Sequence, residues 1–228
     1  MREIVLDTET TGLSPGDGDR IVEIGCVEIV NRFPTGKTYH CYINPERDMP
    51  DGAFKVHGLS REFLSDKPLF AAIAEAFLEF IADDPLVAHN ADFDIGFLNM
   101  ELKKLGHPAL EASRVVNTLL LARRKHPGAS NRLDDLCVRY GIDNSQRNLH
   151  GALLDARLLA DVYAELVGGR QAAFSLNSAG AMAAARNRTA SLPARPVPLP
   201  SLLAAPEQMA HKIFVTGLGQ DAVWNDYS

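Results

Sequence analysis

The run Glu3-Ile4-Val5-Leu6-Asp7-Thr8-Glu9-Thr10-Thr11-Gly12-Leu13 reads as an apolar β-strand that delivers two carboxylates and then stops in a turn. Strand side chains alternate, so Asp7 and Glu9, at i and i+2, point to the same side. Two anions held side by side are costly unless a cation neutralises them, and the pairing points to a hard divalent metal with oxygen ligands. An isolated Asp-x-Glu is equally what a polar strand end running into a Thr-Thr-Gly turn looks like. The rest of the chain has to decide between the two.

Outward from that strand, residues 20–30 and 37–43 are β-branched and aromatic runs bounded by Gly, Pro, Asp and Asn, and the three predict a meander. After Pro45 the period changes. Phe70, Ile73, Phe77, Phe80 and Ile81 recur at helical spacing, residues 85–89 predict a short strand, and Ile95 to Leu105 another helix. Val115 and Val116 lead into a further helix, residues 131–140 form a short one, and residues 151–167 a long one stopped by Gly168-Gly169. Strands first, then strands alternating with helices, predict an α/β fold with a mixed sheet flanked by helices.

The chain has 228 residues and carries a net charge of −6, the wrong sign for holding nucleic acid by lysine and arginine alone. A polyanionic substrate therefore requires metal ions or a tethering partner. Cys26, Cys41 and Cys137 form no close-spaced pair, which argues against a disulfide framework or a zinc cage and favours a reducing compartment. Cys137 shares a helical face with Leu133, Leu136 and Tyr140 and reads as core. No apolar run of signal-peptide or membrane-spanning length occurs, so the expectation is a cytoplasmic protein without a membrane partner.

Beyond residue 170 the composition shifts. Residues 171–190 hold eight alanines and residues 193–206 five of the thirteen prolines, a pattern that cannot build a periodic core and predicts a flexible C-terminal tail. That tail still ends in Phe214, Trp224 and Tyr227, aromatics that a purely solvated tail lacks.

Two further acidic positions join the first pair. In His89-Asn90-Ala91-Asp92-Phe93-Asp94, Asp92 is the expected helix cap and Asp94, further in, has no such duty, although both also suit a helix N-terminus. In His150-Gly151-Ala152-Leu153-Leu154-Asp155, five helical residues turn by ~140°, so the two cannot share a helical face. His150 then precedes the helix on a loop, as a mobile base, while Asp155 sits one turn in. A lone histidine there is ordinary, but four carboxylates in company favour function.

In the order Asp7, Glu9, Asp94, His150, Asp155, these residues resemble the DEDD exonuclease superfamily, in the subclass whose last motif is His-x-x-x-x-Asp. Together with Val56-His57-Gly58, they are similar to the proofreading epsilon-subunit family of bacterial DNA polymerase III over residues 2–170, and more loosely in the tail. The resemblance implies a ribonuclease H-like fold and stepwise hydrolysis of DNA from the 3′ end. It also implies two divalent ions, Mg2+ or Mn2+, bound by Asp7, Glu9, Asp94 and Asp155, with His150 as general base. Thr8, Leu13, Val56, His57 and Phe93 would contact the terminal nucleotide; Leu13 and Phe93 suit stacking or wedging against unpaired bases, or else ordinary core. Histidine titrates near neutral pH and can take a proton from water there. Only a frayed end reaches such a site, so mismatched termini should be preferred.

The implied organisation is an exonuclease domain over residues 1–170, a clamp-binding motif at residues 171–176 with Gln171, Phe174 and Leu176, an Ala/Pro-rich linker over 177–206, and a polymerase-binding segment over 207–228 with Phe214 and Trp224. The expected partners are a DNA 3′ end, the polymerase catalytic subunit and the sliding clamp, with the chain a monomer inside a larger complex. Two other readings stand: an RNA-trimming exonuclease of the same fold, and a mainly structural subunit bridging polymerase and clamp. Asn117 departs from the acid common in relatives but lies outside the metal set. The basic run Arg123-Arg124-Lys125-His126 reads as a solvated helix end in preference to a phosphate contact.

Overall fold

Strands β1 (Arg2–Thr10), β2 (Ile21–Val30) and β3 (Phe33–Tyr42) form an antiparallel meander, and β4 (Leu86–Ala88) and β5 (Val115–Asn117) extend the sheet in parallel on the other side of β1. The strand order is β3-β2-β1-β4-β5. The computed structural model describes residues 1–147, 149–168 and 204–218. The mixed α/β sheet expected from the sequence is present, and its order is that of a ribonuclease H-like fold.

The strands exceed the apolar runs that announce them. β1 continues through Asp7, Thr8 and Glu9 because β2 pairs with it residue by residue, so the two carboxylates lie inside the strand and not beyond its end. β3 begins at Phe33, four residues before the expected run, and includes Pro34 and Gly36. As β3 is an edge strand, a proline there forfeits no interior ladder bond. The β2–β3 connection is Asn31-Arg32, with φ of 53° and 73°, the left-handed pair that a tight hairpin demands.

Alternation splits the sheet's two faces. Ile4, Leu6, Ile24, Cys26, Leu86 and Ala88 face one core with helices α3 (Phe70–Ile81) and α4 (Ala91–Lys104). Val5, Val27, Ile29 and Val87 face the other with α5 (Thr118–Lys125), α6 (Leu133–Tyr140) and α7 (Ala152–Leu166), and Cys137 is buried there as expected. Asp7 and Glu9 share the face of Val5, hence that of α7. Two short helices precede α3 and were not evident from periodicity: Asp51–His57 (α1) and Arg61–Leu64 (α2). A separate body carries α8 (Ala205–Gly217), entered through Pro206 and the Ala204 N–H bond to Glu207 Oε2 at 2.8 Å. Met209, Ile213 and Phe214 are exposed on it. Gln171, Phe174, Leu176 and Trp224 lie outside the described residues, as does most of the linker expected over 177–206.

Helix α7 meets β2 backbone to backbone. A Cβ built on Gly25 would lie 2.2 Å from the Leu153 nitrogen and 2.3 Å from the Ala152 carbonyl carbon, both backbone atoms that cannot yield. Gly25 sits directly opposite Asp7 in the ladder. The missing side chain therefore sets the depth at which the first turn of α7 docks on the sheet. Gly25→Ala should cost about 3 kcal/mol of unfolding free energy, at the upper end for an overpacked site, and should also depress hydrolysis by displacing Asp155. Urea unfolding beside a turnover assay checks both; an unchanged midpoint would contradict this reading of the contact.

Candidate active site

The end of β1, the start of α4 and the start of α7 converge on one cleft of about 1010 Å³, whose wall includes Asp7, Glu9, Asp94, His150 and Asp155. The five candidate residues, spread over nearly 150 positions of sequence, thus reach a single space. Asp94, Asp155 and Glu9 are buried, while Asp7 is partly exposed and His150 is exposed.

Each carboxylate is positioned by a specific local device. Asp94 comes from the sheet's opposite face and is anchored to β1: its Oδ1 accepts from the Thr8 backbone N–H at 3.0 Å and from Thr8 Oγ1 at 2.7 Å. The helix start is not capped by Asp92 as expected; Asn90, with φ 64°, turns the chain and Asp92 lies exposed in the first turn. His89, just before it, is fixed by Thr118 Oγ1 and the Asn131 carbonyl, each at 2.9 Å. Asp155 sits one turn into α7, and His150 stands before the helix on a loop tied to α1 by its backbone N–H to the Val56 carbonyl, 3.1 Å. The loop after β1 is pinned by Asp19, which accepts from Thr11 Oγ1 and from the Ser14 N–H at 3.1 Å each and pairs with Arg47 at 2.9 Å.

The candidate nucleotide contacts are less uniform. Phe93 lines the cleft and also packs on Phe97 at a 4.9 Å ring separation, so it serves wall and core together. Thr8 lines it too, with its hydroxyl committed to Asp94. Leu13, 85% exposed on the pinned loop, and Val56, 45% exposed, are not on the cleft wall. His57 is buried beside the His150 loop; its Nδ1 accepts from the Leu59 N–H at 3.0 Å, and burial lowers its proton affinity against a contact with the Thr10 backbone.

Three residues that sequence reasoning passed over enter the site. Glu23, buried on β2 opposite Glu9, holds His40 Nε2 at 2.7 Å and adds a further carboxylate beside the cluster. A glutamate inside an apolar strand was the available signal. Arg132 lines the cleft, as do Arg123 and His126 from the run read as a solvated helix end. Lys125 instead donates to the Glu165 carbonyl at 2.6 Å, closing the C-terminal end of α7. The third is Arg147, which forks onto Asp155: Nε to Oδ1 and Nη2 to Oδ2, both 2.6 Å.

The electrostatics follow from crowding. Burial first, then Asp155, Glu23 and Asp94, push the Glu9 carboxyl up to about 8. Burial pushes Asp94 up to about 7 against the opposing Thr8 bonds, and burial with Asp94 and Glu9 raises Asp7 well above the carboxylate range. Asp155 goes the other way: burial alone would raise it, but the Arg147 fork holds it below its ordinary value. Such a cluster calls for a cation. Glu9, His150 and Asp155 offer ligand atoms within 4.8 Å of one another, and a hard ion with a preference for oxygen would take the carboxylates of this donor set. The residues present fit a divalent metal.

A mixed sheet of this order, gathering carboxylates from its central strand and two helix starts over an open cleft, defines a metal-dependent nuclease of the ribonuclease H-like class. Residues 4–163 match the exonuclease family. The chain is 59% identical to the DNA polymerase III subunit epsilon of Rickettsia felis over 179 residues, 77% of this chain and 78% of that one. It is 49% identical to the subunit of that name from Escherichia coli over 176 residues, 74% and 72%. Among solved structures, the nuclease domain of 3′hExo, a DEDDh family member bound to rAMP, superposes with a TM-score of 0.63 at 17% identity, covering 73% of this chain and 91% of that one. Exonuclease X in complex with 5′ overhanging duplex DNA superposes with a TM-score of 0.58 at 24% identity, covering 72% and 90%; both similarities concern the fold. The chain belongs to the exonuclease family and, within it, to the family of DNA polymerase III epsilon subunits.

The raised carboxyls make stability depend on pH. Glu9 and Asp94 keep their protons in the folded chain up to about 8 and 7, whereas the unfolded chain loses them near the ordinary 4.5 and 3.8. Their contribution is full below the unfolded values and is lost as pH climbs through the folded ones. In chelator the melting temperature should therefore fall between about pH 5 and about pH 8, with the fall removed by a divalent cation and reduced in Glu9→Gln. Burial lowers His57 and His89, which pulls the other way near their ordinary value, so the deciding comparison is with the variant: an equal fall in Glu9→Gln would refute the cluster's electrostatics.

Proposed function

We infer that this exonuclease removes 3′-terminal nucleotides from DNA as the proofreading subunit of a bacterial replicative polymerase, with two divalent ions, Mg2+ or Mn2+, held by Asp7, Glu9, Asp94 and Asp155. The observation that carries the reading is the meeting of four carboxylates and a loop histidine in one cleft of a chain from the epsilon family. When bound, such ions neutralise the cluster and supply charge stabilisation to a phosphodiester and its leaving oxygen. His150, exposed at the mouth and one turn ahead of Asp155, is the group that receives a proton from the attacking water. Leu13, Val56, His57, Phe93 and Thr8 receive the terminal nucleotide, with the exposed Leu13 wedging against an unpaired base.

The protein works in the cytoplasm as a monomer within the replication assembly. Gln171, Phe174 and Leu176 bind the sliding clamp; the Ala/Pro-rich stretch is a spacer; and the segment over 207–228, with Phe214 exposed on its helix and Trp224 beyond it, holds the polymerase catalytic subunit. Tethering supplies the local concentration that a net charge of −6 denies it.

Primers with paired and mismatched 3′ termini, as DNA and as RNA, with Mg2+ and with chelator, test this directly. Mismatched DNA should be shortened fastest and chelator should abolish the reaction. Asp7→Ala should remove nearly all hydrolysis, and His150→Ala should lower the rate by ~10²-fold with metal binding retained. A chain ending at Gly169 should keep its single-strand activity and lose co-purification with the polymerase subunit. Preference for RNA ends, or activity that survives chelation, would overturn the reading.

A further inference from the structure

Arg147 makes the most concentrated set of ionic contacts in the cleft. Its guanidinium is nearly buried, with 7% of the side chain exposed, and touches three partners at once. Nε and Nη2 fork onto both oxygens of Asp155, Nη2 also reaches His150 Nδ1 at 2.7 Å, and Nη1 meets Asp134 Oδ2 at 2.5 Å. Both oxygens through which Asp155 would hold a metal ion are therefore engaged by a monovalent organic cation of matched geometry.

The contact also fixes the chemistry of His150. A guanidinium only donates, so His150 Nδ1 must accept, and a neutral imidazole that accepts at Nδ1 carries its proton on Nε2. The 3.3 Å approach of that same Nδ1 to Asp155 Oδ2 cannot then be a hydrogen bond. Held this way, the ring's one free lone pair is occupied by the guanidinium and cannot take a proton. Asp134 is different from the other two partners, since its side chain is 52% exposed and lies at the rim, where the guanidinium can stay after leaving Asp155.

We propose that Arg147 is an exchangeable counter-ion of the active site: it holds Asp155 and His150 together until a divalent cation takes Asp155, then pivots onto Asp134 and releases His150 Nδ1 as a proton acceptor. Arg147 is a positioning residue in this scheme, acting through Asp155 and His150. The inference rests on Asp155 being a metal ligand, which weakened Mn2+ binding by Asp155→Asn tests separately.

The experiment titrates Mn2+ into the full-length parent, Arg147→Gln and Arg147→Lys, following free Mn2+ by electron paramagnetic resonance, and records melting in chelator. Both variants should melt below the parent in chelator, since the buried carboxylate loses its fork, and both should bind Mn2+ about tenfold more tightly, as expected when a competitor is removed. Arg147→Lys is the discriminating case. It keeps the charge but cannot occupy both oxygens, so parent-like Mn2+ affinity in this variant beside tighter binding in Arg147→Gln would reduce Arg147 to a background charge and overturn the proposal. Unchanged or weaker binding in both would overturn it too, making the arginine a permanent member of the loaded site. If the parent binds Mn2+ and both variants fail in this way, only the counter-ion role falls; if the parent binds none, the metal reading falls with it.

Discussion

The docking of α7 on β2 at Gly25 is the contact on which the site depends. Backbone meets backbone there with no room for a methyl group, and the point of contact lies across the ladder from Asp7. Depth at that point decides where the first turn of α7 lies, and the first turn carries Asp155 with His150 just ahead of it. The pairing of β1 with β2 and β4 fixes Asp7 and Glu9, and the Thr8 bonds fix Asp94. Three segments far apart in sequence thus share a cleft because one helix can press close to the sheet.

The arrangement is electrostatically unfavourable by construction. The carboxylates of the cluster raise one another's proton affinity, so full ionisation without a cation is opposed by repulsion as well as by burial. The protein tolerates them by protonation of Glu9 and Asp94 near neutral pH and by the Arg147 fork on Asp155. Both are weaker solutions than a divalent ion, which neutralises several carboxylates together. If the proposed ligand set holds the ion, its uptake at neutral pH would release the protons of Glu9 and Asp94.

Much of this was legible in the sequence because the informative signals were local. Alternation placed Asp7 and Glu9 on one side of a strand; helical phase placed His150 outside α7 and Asp155 inside it; and the order of the acidic motifs carried the family resemblance. What escaped depends on contacts between distant segments. Gly25 reads as a mere interruption of a strand until α7 is seen against it, and Glu23 as a polar strand position until it faces Glu9. Asp92 has the composition of a cap, yet the left-handed Asn90 turns the chain before it. Arg147, three residues before His150, looks like any loop arginine until its fork closes on Asp155. Pro34 and Gly36 look like turn residues, and only an edge strand can absorb them.

The central claim is that the carboxylate cluster is a binding site for two divalent ions. Anomalous X-ray scattering from crystals of the protein grown with Mn2+ and a nucleoside monophosphate measures this most directly. The account predicts two anomalous peaks at the end of β1, within oxygen-ligand distance of Asp7, Glu9, Asp94 and Asp155, with none at Glu23. A single peak, no peak, or density centred away from these carboxylates would contradict it.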